Sequence, residues 1–296
     1  MRRVVVLVLL LALAIVAAAT VGRTTPPTAT AALSATCRGA VDTLNLVNPG
    51  QLTVGTDNPA YPPWFGGTPA KGSKWKLSDP TSGKGFESAV AYAVGQYLGF
   101  ARSDVEWIYT PFNKSFAPGK KAFDFDINEI SYSPARAKVV TFSASYYDVN
   151  QSIVVNKGTS ISGVRSIAGL RKYKLGAQLG TTSYQYIVDR IKPSSKPSVY
   201  PKNDAAVQGL KNKQIDGLVV DLPTAFYVTA VQVPNSKILG QFPTPAGGEH
   251  FGMVFQKGNP LVTCVNQALA NLKKTGQLKQ IQQKWLAKAT GAPVLR

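Results

Sequence analysis

The chain reads as an α/β protein, and three observations carry that reading. From residue 50 onward, short apolar segments of strand length alternate with longer segments whose apolar residues recur at helical spacing. Such alternation implies parallel sheets with helices on both faces. Hydrophobic residues make up 44% of the 296, and the roughly 250 residues left after a leader suffice for two lobes of ordinary size.

The N-terminus opens with Arg2 and Arg3, followed by an apolar run from Val4 to about Ala19. A basic start before an apolar centre reads as a secretion signal over 1–22, with the small residues Ala17, Ala18 and Ala19 as a cleavage site. The run is marginal for spanning a bilayer, which needs about 20 residues, so a retained anchor is the rival reading. Residues 23–49 form a spacer and N-terminal extension, Thr-, Pro- and Ala-rich over about 23–36. Leu52–Thr56 then reads as a strand, and Phe86, Ala89, Val90, Ala93, Val94, Tyr97 and Leu98 share one helical face. Val105–Tyr109 and Phe123–Ile130 are the next strands. Further strands fall at Ile153–Val155, Lys174–Ala177, Val199–Tyr200 and Leu218–Val220, with helices at Thr182–Ile191, Ala205–Asn212 and Pro223–Val231 between them. Gly252–Gln256 is the last strand. Two helices, 260–274 and 277–287, close the chain, with Pro260 at a helix start and Gly276 between the two. No internal repeat is present.

The formal net charge is +18, of which Arg2, Arg3 and Arg23 supply three units before Cys37. The lysines are scattered without a basic–aromatic cluster, which argues against nucleic acid as a partner. A diffuse cationic surface that meets an anionic membrane or wall, or simple solvation, fits better. With one histidine, His250, and no closely spaced cysteine pair, no metal site is expected. Cys37 and Cys264 are the only cysteines, and an even number in a secreted chain reads as a disulfide. Free thiols or a lipid on Cys37 are the alternatives, although Ser34-Ala35-Thr36-Cys37 lacks the leucine usual three positions before a lipidated cysteine.

The most informative stretch is Ser131-Tyr132-Ser133-Pro134-Ala135-Arg136. Ser133 can cap a helix with Pro134 in its first turn. This puts the Ser131 hydroxyl at a strand's edge and the Arg136 guanidinium one turn into a helix, a donor set suited to a carboxylate. Taken alone, such an arginine is more often a solvated surface residue.

The order of several motifs resembles family 3 solute-binding proteins, the polar-amino-acid receptors of ABC importers. The motifs are Leu52 to Asp57, Tyr61-Pro62-Pro63-Trp64, Gly85-Phe86-Glu87, Ser131 to Arg136, Val139 to Ser143 and Tyr146-Tyr147. They continue with Leu179-Gly180-Thr181-Thr182, Asp216 to Asp221, and Gly276-Gln277-Leu278 with Lys284-Trp285. The resemblance covers about 50–288. It implies the two-lobe type II periplasmic-binding-protein fold with a hinge of two crossover strands, near Tyr147–Ile153 and 247–253. Lobe 1 would comprise 50–149 and 252–288, lobe 2 with the hinge 150–251, and 289–296 a C-terminal tail; Gly247-Gly248 suits a hinge.

The resemblance further implies a free amino acid as ligand, an ABC permease as partner, a monomer, no cofactor, and a place outside the cytoplasm, in the periplasm or at the envelope surface. Arg136 and Ser131 would take the carboxylate, with backbone donors from Thr182 across the cleft at the Gly180-Thr181-Thr182 turn; Gln178 and Thr181 are further ligand-binding candidates there. Asp221 would take the ammonium, its rival role being an N-cap before Pro223. Asp57 would meet the side chain, and Tyr61 and Phe112 would sandwich its stem or else pack in the core. Trp64 falls equally to core or rim. Asn128 and Glu129 depart from the family, which has small residues there. Glu129 either brings a carboxylate to the pocket or turns away to a lysine. Three candidate acids against Arg136 favour a cationic or amide side chain.

Two other classes remain open on the residues. Some members of the fold are cyclohexadienyl dehydratases, and Glu129 is the one residue suited to acid–base work; a Ser-His-Asp triad would need His250. A ligand-sensing ectodomain is the other.

Overall fold

The computed structural model describes residues 37–244, 248–286 and 291–296. The expected signal, most of the spacer and Gly247 of the expected hinge lie outside these residues.

The chain enters sheet 1 with β1 (Leu52–Thr56), crosses through helix α1 (Phe86–Leu98) and returns as β2 (Val105–Tyr109), parallel to β1. Gly85 precedes α1 at φ +93°, where a Cβ would lie 2.4 Å from the Phe65 Cα, so only glycine fits. Gly99, at φ +101°, ends the helix, and its N–H caps the Gln96 carbonyl. Short helix α2 (Phe112–Ser115), β3 (Phe125–Asp126), α3 (Pro134–Ala137) and β4 (Val140–Phe142) follow. As expected, Ser133 caps α3: its Oγ accepts the Arg136 N–H, and Pro134 sits in the first turn.

β5 (Tyr147–Val149) leads into sheet 2 through β6 (Gln151–Asn156). Then come β7 (Leu175–Gln178), α4 (Thr182–Tyr186), β8 (Ser198–Tyr200), α5 (Asn203–Lys211), β9 (Gly217–Asp221), α6 (Leu222–Tyr227) and β10 (Ser236–Gln241). α4 and α6 each continue into a wider π-helical turn, Ile187–Ile191 and Val228–Gln232. β11 (Glu249–Phe251) pairs antiparallel with β5, and β12 (Val254–Gln256) re-enters sheet 1. Helices α7 (Leu261–Lys274) and α8 (Gln277–Leu286) pack against α1. Their Leu261, Val265, Leu269, Leu278 and Leu286 join Leu52, Val54, Phe86 and Val90 in one core.

The sheets run β2-β1-β3-β12-β4 and β10-β6-β9-β7-β8. They are mixed rather than parallel as the alternation implied. β1–β2, β1–β3, β7–β8 and β7–β9 are parallel, whereas β6 and β12 run antiparallel to their partners. The reason is connectivity. β6 and β12 arrive directly from the β5/β11 ribbon without the helical crossover that makes neighbours parallel.

Three other expectations change. The strand expected over Phe123–Ile130 contracts to Phe125–Asp126, and beyond its C-terminal end Glu129 turns to φ +53°, outside the extended region. β10 had not been expected. Residues 291–296, within the expected tail, lie on sheet 2. Gln241 donates its N–H to the Pro293 carbonyl (2.8 Å), Leu295 donates back to Gln241 (2.9 Å), and Leu295 is 2% exposed in the sheet 2 core. Cys37 and Cys264 are joined, tying the described N-terminus to α7.

Candidate functional site

Asp57 just after β1, Asp221 at the end of β9 and the turn after β7 all reach one cavity of about 60 Å³. Open α/β sheets present ligand groups at such strand ends. Ten of the eleven expected residues line it: Asp57, Tyr61, Phe112, Asn128, Glu129, Arg136, Gln178, Thr181, Thr182 and Asp221. The eleventh, Ser131, is buried but is not part of the lining. Ser183, Asn203 and Thr224 line it without having been expected.

Arg136 bridges the two lobes. Its Nη1 donates to the Ser131 carbonyl (2.6 Å) and its Nη2 to the Gly180 carbonyl (2.7 Å). The guanidinium lies 4.1 Å from the ring centre of Phe116 and 5.7 Å from that of Phe112. These aromatic faces hold a cation in place. Burial lowers its pKa to about 10, while Glu249 and Asp221 oppose the shift, so it stays charged at neutral pH. Phe112 thus packs on Phe116 and flanks Arg136 besides lining the cavity.

Glu129 faces the cleft, not an outward lysine. Its Oε2 accepts the Thr224 hydroxyl at 2.7 Å, and its backbone N–H donates to Glu87 Oε1 at 2.6 Å. A left-handed backbone at a non-glycine residue costs about 1 kcal/mol or more and persists only where its surroundings hold it; here the Glu87 bond does so. Burial first, then the Glu87 and Asp221 charges, push the Glu129 carboxyl well up. Burial raises Glu87 to about 7, partly offset by its bonds from Tyr146 and the Glu129 N–H. Burial also raises Asp57, against the Asn58 N–H and the Lys202 ammonium. Asn128 Nδ2 is buried with no partner among the described residues.

Asp221 sits at the N-cap position of α6, but its side chain caps nothing. Instead it accepts from Gln151 Nε2, and burial followed by the Glu249 charge pushes it well up. Gln151 Oε1 accepts the Ser183 hydroxyl (2.6 Å), and its Nε2 also lies 3.2 Å from both Glu249 oxygens. Ser131 Oγ donates to Glu249 Oε1 at 2.6 Å and lies 3.3 Å from Thr182 Oγ1. Thr181 serves the backbone: its Oγ1 accepts the Tyr184 N–H as the cap of α4 and donates to the Gln178 carbonyl. Trp64 is core, 0% exposed, and its Nε1 donates to Thr224 Oγ1 at 3.0 Å. His250 stacks on Tyr132 at 5.4 Å. No group among the described residues is arranged to hold a metal ion.

Gln151 and Glu249 were missed by sequence reasoning. Neither carries a local motif, and they meet across 98 positions. Their one available signal was a place on the strands expected to cross between lobes.

Two α/β lobes joined by paired crossover strands, with strand ends from both converging on a polar cleft, define a binding protein for a small polar solute. The family model for bacterial extracellular solute-binding proteins, family 3, matches residues 52–288, and the chain belongs to that family. It is 25% identical over 237 residues to the L-cystine-binding protein TcyJ of Escherichia coli K12, covering 80% of this chain and 82% of that protein. It is 25% identical over 225 residues to the arginine-binding extracellular protein ArtP of Bacillus subtilis 168, covering 74% and 84%. Among solved structures, an ancestral arginine-binding protein bound to arginine superposes with a TM-score of 0.65 at 29% identity, covering 79% of this chain and 97% of that one. These relatives are named as binding proteins, and the chain is a binding protein, not an enzyme. No described helix is long and apolar enough to cross a membrane.

Proposed function

We propose that this protein captures a free amino acid with a cationic or amide side chain, the cation favoured, outside the cytoplasm and presents it as a monomer to an ABC permease. The carrying observation is the charge of the cavity, where Asp57, Glu129 and Asp221 face a single guanidinium, Arg136. A zwitterion balances one acid and one base, and the surplus acids suit a second positive charge on the ligand. In this reading Arg136 and the Thr182 turn receive the carboxylate, Asp221 the ammonium, and Glu129 and Asp57 the side-chain cation. Tyr61 and Phe112 flank its stem. The arginine-bound ancestral structure supports the same class.

A cavity of about 60 Å³ holds only a few waters. Binding therefore requires the lobes, 50–149 with 252–288 against 150–251, to part and reclose about the β5/β11 ribbon. Transport energy comes from the partner ATPase, and no cofactor is needed.

The test is calorimetry against the twenty amino acids, ornithine, citrulline and small betaines. Arginine, lysine or ornithine is expected to bind most tightly. Arg136→Ala is expected to abolish binding with the fold intact, since stranding one partner of a desolvated charge pair costs several kcal/mol. An affinity within about threefold of wild type, under ~1 kcal/mol, rejects the carboxylate role. Asp221→Asn is expected to weaken amino acids but spare an analogue lacking the ammonium; equal losses would make Asp221 structural.

A further inference from the structure

Glu249 is a fourth carboxylate beside the cleft, outside the cavity lining but hydrogen-bonded to its surroundings, and it comes from neither lobe's sheet but from β11. It stands where the expected ligand-carboxylate donors are. The Ser131 hydroxyl gives it a hydrogen bond at 2.6 Å, and the Gln151 amide lies 3.2 Å from both of its oxygens. A hydroxyl has one proton to give, so Ser131 cannot donate to a ligand while Glu249 holds it. Ser131, Gln151 and Glu249 all stand behind the cavity wall, which they meet through Thr182 and Asp221. The Gln151 amide is shared in the same way, between Glu249 and Asp221.

We propose that Glu249 is a specificity-determining residue: an internal carboxylate that engages the Ser131 and Gln151 donors and repels the carboxylate of an incoming ligand. The proposal rests on the amino-acid reading above and deepens it. Two carboxylates at one donor set repel each other, so every carboxylate-bearing ligand carries a penalty that only a compensating positive charge elsewhere offsets. Amino acids with apolar or acidic side chains are thereby disfavoured. A cationic one is admitted because Glu129 and Asp57, which receive its side-chain cation, recover the loss. The strand carrying Glu249 is paired to β5 in the inter-lobe ribbon, so displacement of this side chain is felt where the lobes are joined.

The experiment compares wild type, Glu249→Gln and Glu249→Ala by calorimetry with arginine, alanine, glutamate and agmatine, the last being arginine without its carboxylate. Glu249→Gln keeps an acceptor for Ser131 and so the local fold, while Glu249→Ala releases the Ser131 proton; circular dichroism checks both. Arginine, alanine and glutamate are expected to tighten about tenfold or more in both variants, and agmatine, whose amine Glu249 attracts, not to tighten. Equal shifts for arginine and agmatine, or no shift in either variant, overturn the proposal while leaving the amino-acid reading intact. Wild type that binds agmatine but not arginine overturns the amino-acid reading instead, and a gain of arginine binding in Glu249→Gln then supports the role given to Glu249. Wild type and variants that bind none of the four overturn both.

Discussion

The Glu129 carboxylate accepts the Thr224 hydroxyl at 2.7 Å, and the same hydroxyl oxygen accepts the Trp64 indole N–H at 3.0 Å. Thr224 lies on α6, in the chain segment that also carries sheet 2, whereas Glu129 and Trp64 come from the segment of sheet 1. A hydrogen-bonded relay thus spans the cleft and fixes the direction in which Glu129 points.

Glu129→Gln is expected to change ligand ranking. Arginine and lysine should lose ~1.5–3 kcal/mol, about tenfold to a hundredfold, with glutamine and alanine affected less. Side-by-side calorimetry on the four decides it. An unchanged order and magnitude would leave Glu129 with the Thr224 relay alone.

Glu87 predicts a pH dependence of stability. Its carboxyl is raised to about 7 when folded, against an ordinary value of 4.5. Between those values the folded state holds more protons than the unfolded chain, so stability falls as pH rises. The Tm of the unliganded protein is expected to drop from pH 5 to pH 8. Both hydrogen bonds to Glu87, from Tyr146 and the Glu129 N–H, use Oε1, and Oε2 has no partner among the described residues. Glu87→Gln keeps both bonds and should make the profile shallower, the raised Glu129 and Asp221 carboxyls adding a dependence of the same sign; a Tm curve as steep as wild type would assign the dependence to them.

The Cys37–Cys264 bond closes a loop of 227 positions, and its reduction is expected to cost a few kcal/mol of stability. Because Cys264 lies on α7, which packs in the core of sheet 1, ligand affinity should change little. Thermal melts and calorimetry with and without reductant measure both. A larger loss of affinity than of stability would tie the bond to the cleft.

Leu295→Ala is expected to destabilise the protein by about 2–4 kcal/mol, since its side chain sits in the sheet 2 core. Denaturant unfolding reads the change. A shift under ~0.5 kcal/mol, ordinary for surface sites, would mean that the C-terminal segment is dispensable.

Where a residue's role is set by its near neighbours, the sequence was sufficient. Ser133, Pro134 and Arg136 cap and open a helix within four positions, and the acids at Asp57 and Asp221 follow apolar strands that must end where they do. The ordered motifs from Leu52 to Trp285 carried the family and its two-lobe fold. Glu129 was legible as an anomaly but not in direction, since its orientation depends on Thr224, 95 positions away.

Tertiary structure alone decided the rest. Strand sense in the sheets depends on how β6 and β12 leave the ribbon, and no periodicity encodes that. Leu295 became core only because β10 offered its edge to the returning chain. The Glu249–Ser131 contact joins residues 118 positions apart. Hydrogen bonds act over about 3 Å, so partners so distant along the chain are chosen by the fold that brings them together, not by the residues beside them.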